Sequence, residues 1–165
     1  SLKMPFIVSW PDVTKPGSRD SHLIQNIDYA ETFLEIAGAK IPSDMQGRSL
    51  VPLLKGQSPK EWRSSIYYHY YEYPSFHMVP RHYGIRTERY KLMHFYRFGN
   101  EWEMYDLKKD PDELTNLYGR KGKAKLAGDL KKQLYALQKH YGDDSDFSEM
   151  PQEWKDKVRP GTAKK

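Results

Sequence analysis

An alternation of aromatic and β-branched residues between positions 65 and 106 constrains the fold of this chain more than any other feature. Residues 65–73 alternate with period two, so that Ile66, Tyr68 and Tyr70 share one face of an extended chain. Residues 83–87, 90–97 and 101–106 are three further candidate strands with short polar connections. Because such short connections join antiparallel neighbours, the pattern predicts an antiparallel meander of about four strands.

Two helical signals follow the meander. Asp110, Pro111 and Glu113 occupy the N-cap, first and third positions of a predicted helix of one or two turns. A longer apolar stripe at helical spacing consists of Leu126, Leu130, Leu134, Leu137 and Tyr141. The stripe predicts the longest helix, packed on the sheet, and therefore an α+β fold.

The first sixty residues show a different pattern. Residues 4–10 form an apolar run ended by Pro11, which predicts a short strand buried on both faces within a parallel sheet. Asp28 and Glu31 then have the spacing of a capping box, and Gly38 is a natural C-cap, so an amphipathic helix is expected between them.

Composition and charge exclude several classes of protein. The chain has 165 residues and no Cys, which excludes disulfides, thiolate zinc sites and a Cys nucleophile within it. No apolar run has the length of a membrane span, and any export signal is expected elsewhere. The net charge is +5, but residues 154–165 hold five basic residues against one acidic. This predicts a solvated basic tail and argues against nucleic-acid binding.

The segment from Tyr67 to Tyr83 is the candidate site, because it holds six of the 13 Tyr and three of the six His. His and Arg donors beside aromatic rings suit a sulfated or phosphorylated sugar; the alternative is an aromatic sheet with hydrogen-bonded histidines. Residues 143–146 lack the Gly and Glu of a calcium loop and predict a solvated acidic tail. No motif indicates a catalytic or metal-binding residue in this chain.

Five segments, in order, resemble the closing part of type I sulfatases. They are Lys-Met-Pro-Phe-Ile-Val-Ser-Trp-Pro at 3–11, Asn-Ile-Asp-Tyr-Ala-Glu-Thr-Phe-Leu-Glu-Ile-Ala-Gly at 26–38, Gln-Gly-Arg-Ser-Leu-Val-Pro-Leu-Leu at 46–54, Tyr-Gly-Ile-Arg-Thr-Glu-Arg-Tyr-Lys-Leu at 83–92, and Glu-Met-Tyr-Asp-Leu-Lys-Lys-Asp-Pro-Asp-Glu-Leu-Thr-Asn-Leu at 103–117. The resemblance covers residues 1–142. It implies that residues 1–60 end a large alkaline-phosphatase-like α/β domain, contributing its last strand and helix. Residues 61–142 are then the C-terminal subdomain and residues 143–165 a polar basic tail.

The resemblance also implies a chemistry. Type I sulfatases use a formylglycine made from Cys/Ser-x-Pro-x-Arg, together with a calcium ion, and this chain has neither that motif nor the metal-ligand set. It is therefore expected to be an inactive C-terminal fragment, without a cofactor of its own, of a sulfatase acting on glycosaminoglycans. The partners implied are a sulfated sugar and the remainder of the sulfatase chain, in a periplasmic, extracellular or lysosome-like compartment.

The Tyr- and His-rich segment is most similar to the branch of the family that removes 6-sulfate from N-acetylglucosamine. On this resemblance, the candidate substrate-binding residues are His77, Arg81, His82 and Arg86. The alternative is a stand-alone, non-catalytic anion- or glycan-binding module, which would use the basic tail and the same segment to bind heparin in a salt-sensitive manner.

Overall fold

A computed structural model describes residues 4–73, 78–96 and 100–145, which separate into two compact units between Ser64 and Ser65. The basic tail predicted at 154–165 lies outside the described residues, as do residues 74–77 and 97–99. Within the described ranges, every helix is too short or too polar to cross a membrane.

The first unit contains two helices, α1 (Asp28–Ile36) and α2 (Val51–Leu54). Helix α1 lies where the sequence predicts it and ends before Gly38, whose φ of 68° is in the left-handed region that glycine tolerates. The predicted capping box is wrong, because Ile27 occupies the N-cap. Asp28 instead accepts a hydrogen bond from the backbone N–H of Gln25, and Glu31 accepts one from the N–H of Gly47.

The Asp28 carboxylate is the polar centre of this unit. It is completely buried and accepts two hydrogen bonds from the Arg63 guanidinium, at 2.5 and 2.6 Å. It also accepts the backbone N–H of Arg48 at 2.9 Å. One side chain thus joins α1 to two segments that are distant in sequence, and the bidentate pairing with Arg63 compensates the burial of both charges.

The strand predicted at residues 4–10 is not observed, which corrects the sequence interpretation. The segment has no strand pairing among the described residues, and its apolar side chains are largely exposed, with Ile7 90% exposed. A strand is stabilised by the backbone hydrogen bonds of its neighbours, so an apolar run without such neighbours is not a strand. Locally, Phe6 stacks on Tyr29 of α1 with ring centroids 4.9 Å apart.

The second unit begins with the predicted four-stranded antiparallel sheet. Its strands are β1 (Ser65–Tyr70), β2 (His82–Thr87), β3 (Tyr90–Phe95) and β4 (Glu101–Asp106), in the spatial order of the chain. Strand β4 has the predicted bounds, whereas β1 and β3 end sooner than predicted. In the register, Tyr68 of β1 lies opposite Gly84 of β2, and Gly84 lies opposite Met93 of β3.

Helix α3 (Ala124–His140) packs on one face of this sheet, as the leucine stripe predicts. Leu130 and Leu134 of the helix are 2% and 0% exposed and enter one core with residues of β2, β3 and β4. We call the covered side the helix face; it carries Tyr67, His69, Tyr83, Ile85, Leu92, His94, Trp102 and Met104. Strand alternation places the other set on the opposite side, the His82 face; it carries Ile66, Tyr68, Tyr70, His82, Gly84, Arg86, Lys91, Met93 and Phe95.

The helix predicted from Asp110 is also wrong, since residues 110–123 form turns. Asp110 does act as a local cap: its carboxylate accepts the backbone N–H groups of Leu114 at 3.1 Å and Thr115 at 2.8 Å. Glu113, however, has a φ of 56°, which no α-helix can contain. The side chain of Asn116 then accepts the N–H of Met104 and ties this turn to β4.

Replacement of the buried carboxylate at Asp28 tests the packing of the first unit. We expect Asp28→Asn to lower the free energy of unfolding by about 3–5 kcal/mol, because the amide leaves the buried Arg63 guanidinium without its counter-charge. Urea unfolding would measure the change. Glu35→Gln is the matched control, since it removes one negative charge from an exposed position of the same helix. If Asp28→Asn lowered the free energy of unfolding by less than about 1 kcal/mol, the role of Asp28 as the buried partner of Arg63 would be contradicted.

Candidate functional site

His82 lies at the start of β2 and is held by three aromatic side chains. Its ring stacks on Tyr70 at 5.4 Å and lies 5.7 Å from Tyr68 and 5.0 Å from Phe95. Its Nδ1 donates a hydrogen bond to the Pro80 carbonyl at 2.8 Å. Because burial lowers the pKa of His82, the ring is neutral at pH 7 and Nε2 is an acceptor. His82 is therefore suited to accept a hydrogen bond from a sugar hydroxyl rather than to donate one to an anion.

Arg86 points to the same side of β2, four residues along the strand, or about 13 Å from His82 by the rise of an extended chain. Its side chain is partly buried, and its Nε has no hydrogen-bond partner among the described residues. Lys91 lies directly opposite on β3, but its ammonium is paired with Glu113. The Nε of Arg86, unlike the Lys91 ammonium, is thus unpaired among the described residues.

The other two predicted residues stand apart from this pair. Arg81 immediately precedes β2, on the chain segment that leads into His82, and its side chain has contacts of its own. His77 lies outside the described residues. The structure therefore places His82 and Arg86 on one face, about 13 Å apart along β2. The roles of all four residues as substrate ligands stay predictions.

Sequence reasoning missed two residues of this face, Tyr68 and Gly84. A Cβ atom built on Gly84 would lie 2.8 Å from the Tyr68 hydroxyl and 2.5 Å from the Leu92 carbonyl oxygen. The Tyr68 ring therefore lies across β2 at Gly84, between His82 and Arg86. A glycine inside a strand pattern was the available signal, because it marks a close approach of another group to the backbone.

The helix face holds a second polar cluster, centred on Asp143. Its Oδ2 accepts hydrogen bonds from Tyr67 and from His69 Nδ1, the latter at 2.9 Å, and its Oδ1 accepts Ser145. His69 Nε2 in turn contacts the Tyr96 hydroxyl at 2.9 Å. Asp143 was expected in a solvated acidic tail, and its side chain is 8% exposed instead. The chain turns back after α3 and places this carboxylate against β1.

Burial and hydrogen bonding compete in this cluster. Burial lowers the pKa of His69, and this effect outweighs the neighbouring Asp143 carboxylate. Burial also opposes ionisation of Asp143, but the hydrogen bonds from Ser145, Tyr67 and His69 prevail and hold its pKa well below the usual range. The result is a neutral imidazole donating to an ionised carboxylate, an arrangement that fixes α3 to the sheet.

Among the described residues, the His82 face carries groups suited to binding rather than a complete catalytic set. It offers a guanidinium, a neutral imidazole and aromatic surface, which together suit a sulfated sugar. Within the described ranges, no three His, Asp or Glu side chains converge as metal ligands. Calcium and formylglycine belong to the proposal for the complete protein.

The second unit is thus a small antiparallel sheet that α3 covers on one side, with cationic and aromatic residues on the other. The chain belongs to the N-sulphoglucosamine sulphohydrolase, C-terminal, family, whose model matches residues 1–140. The family, the fold and the α+β architecture inferred from sequence are thereby confirmed.

Relatives of known structure or name agree with this assignment. An N-acetylglucosamine-6-O-sulfatase of Bacteroides thetaiotaomicron is 50% identical over 143 residues, covering 86% of this chain and 26% of that protein. A Δ4,5-hexuronate-2-O-sulfatase of the same organism is 34% identical over 124 residues, covering 69% of this chain and 24% of that protein. The structure of BT4656 in complex with its substrate D-glucosamine-2-N,6-O-disulfate matches with a TM-score of 0.80 and 47% identity, over 86% of this chain and 29% of that chain. This chain thus spans about a quarter of the length of these curated relatives.

The buried histidine in the Asp143 cluster predicts a pH dependence of stability. A histidine whose pKa is lowered by folding binds its proton more readily in the unfolded state, so the free energy of unfolding falls as the pH drops below about 6.5. We expect His69→Gln to be less stable than the wild type at pH 7.5 and to lose less further stability between pH 7 and pH 5.5. Urea unfolding at a series of pH values would measure both slopes. A slope equal to that of the wild type would contradict the neutral state assigned to His69.

Proposed function

We propose that the complete protein is a sulfatase that hydrolyses sulfate esters of glycosaminoglycan sugars, with N-acetylglucosamine 6-sulfate as the preferred class of substrate. The 50% identity to an N-acetylglucosamine-6-O-sulfatase over 143 residues carries this proposal. The match to a structure named for a complex with a 6-O-sulfated glucosamine supports it. This chain, which lacks the catalytic centre, would complete the fold and contribute to substrate recognition.

The His82 face supplies the recognition in this proposal. Arg86 would pair with a sulfate or carboxylate group of the saccharide, because its guanidinium is the cation of this face that is not held by a neighbouring carboxylate in the described structure. His82 Nε2 would accept a hydrogen bond from a sugar hydroxyl, and the partly exposed ring of Tyr70 would contact the sugar. Arg81, and His77 outside the described residues, would extend the same surface.

The catalytic groups are assigned to the rest of the protein. There, a formylglycine would supply the nucleophile and a calcium ion would neutralise the sulfate, as the family resemblance implies. On the same resemblance, the protein would act in a periplasmic, extracellular or lysosome-like compartment. No step of the reaction is attributed to a residue of this chain.

Substitution of Arg86 in the complete protein tests the recognition role. We expect Arg86→Met to raise KM for N-acetylglucosamine 6-sulfate at least tenfold with a smaller effect on kcat, because the lost ion pair acts on binding. Steady-state kinetics would measure both. Lys132→Met, on the exposed side of α3, is the matched control for loss of one positive charge.

Two outcomes would overturn parts of this proposal. Unchanged kinetics in Arg86→Met would remove Arg86 from the site. A wild-type protein that hydrolyses no sulfated saccharide yet binds heparin in a salt-sensitive manner would support the stand-alone glycan-binding module instead.

A further inference from the structure

Two buried polar atoms on the His82 face have no hydrogen-bond partner among the described residues. They are the hydroxyl oxygen of Tyr68 and the Nε of Arg86. Buried polar groups in folded proteins are nearly always hydrogen-bonded, since an unpaired one costs about 1–3 kcal/mol. Two such atoms on adjacent strands and on one face of the sheet point to a missing common partner.

The register places the two residues on adjacent strands and on the same face of the sheet. Tyr68 pairs with Gly84, and its hydroxyl lies 2.8 Å from the position that a Cβ of Gly84 would occupy. Arg86 is two residues further along β2 on the same face, a rise of about 7 Å, which the length of an arginine side chain spans. Gly84 is the residue that permits this, because any side chain there would displace the Tyr68 ring.

The environment keeps the Tyr68 hydroxyl a donor. Burial raises the pKa of Tyr68, and the carboxylates of Glu113 and Glu103 raise it further, so the phenol stays protonated at all physiological pH values. Both carboxylates are already engaged, Glu113 by Lys91 and Glu103 by the Tyr105 hydroxyl at 2.8 Å. A hydroxyl donor and a guanidinium donor on one face suit an acceptor that carries negative charge.

We propose that the Tyr68 hydroxyl and the Arg86 guanidinium together bind one oxyanion of the substrate, a sulfate group of the sulfated saccharide, with Gly84 providing the space for the contact. The inference rests on the proposed sulfatase function and adds Tyr68 as a specificity-determining residue. His82, at the other end of the same strand face, would then contact the adjacent part of the sugar.

The test is Tyr68→Phe in the complete protein, because this change removes only the hydroxyl. We expect kcat/KM to fall about 10- to 100-fold, the loss typical of a hydrogen bond to a charged group. We also expect the melting temperature without ligand to stay equal or rise, because the substitution removes an unpaired buried hydroxyl. A hydroxyl with a purely structural role would lower the melting temperature when removed.

Tyr83→Phe is the matched control. Its hydroxyl is on the helix face and is hydrogen-bonded to His94 Nδ1 at 2.7 Å, so its removal should lower the melting temperature and leave kcat/KM near the wild-type value.

A comparison of two substrates identifies which sulfate group the Tyr68 hydroxyl binds. A loss in Tyr68→Phe confined to D-glucosamine-2-N,6-O-disulfate would assign the N-sulfate, and an equal loss with N-acetylglucosamine 6-sulfate would assign the 6-sulfate.

The failures of the two proposals are distinguishable. Suppose that the wild type is active. If Tyr68→Phe then has the wild-type kcat/KM, or if the melting temperature of Tyr68→Phe is below that of the wild type, the oxyanion site is refuted while the sulfatase function stands. If the wild type is inactive on both substrates, the sulfatase function is refuted, and inorganic sulfate becomes the probe of the site. Sulfate should then raise the melting temperature of the wild type and of Tyr83→Phe more than that of Tyr68→Phe; equal shifts would refute the site.

Discussion

The packing of the α3 leucines onto the sheet is the interaction on which the second unit depends. Leu130 and Leu134 of α3 cover one face of the sheet, where Ile85 of β2 is buried. Because side chains alternate along a strand, His82, Gly84 and Arg86 of β2 then lie on the other face. A shift of one residue in the pairing would exchange the two faces completely. The apolar core therefore sets the position of the candidate site without containing any of its groups.

Polar side chains then join segments that the core leaves separate. Asp28 does this in the first unit through Arg63, and Asp143 does it in the second through His69 and Tyr67. In each case a buried carboxylate is satisfied by several donors from distant parts of the chain. The Tyr68 hydroxyl and the Arg86 Nε differ from these two carboxylates, because neither atom has a hydrogen-bond partner among the described residues.

Local patterns predicted the elements whose stability arises within one strand pair or one helix. The period-two alternation located all four strands, and the stripe containing Leu130 and Leu134 located α3, because each periodicity corresponds directly to a buried face. Predictions failed where a distant contact decided the outcome. Residues 4–10 have the apolar composition of a strand but no pairing neighbour among the described residues. Glu113 lies at a position that favours a helix, yet it adopts a left-handed conformation and pairs with Lys91.

The sequence alone determined the α+β class, the meander, the covering helix and, through five ordered segments, the resemblance to the sulfatase family. It also predicted a strand at residues 83–87, which contains Arg86, whereas the observed strand begins one residue earlier, at His82. Only the tertiary structure showed that the Tyr68 ring crosses Gly84 between them, and that Asp143 is buried against β1 rather than solvated. Those positions depend on the register between strands and on the direction of the chain after α3, which are fixed by contacts between residues far apart in sequence.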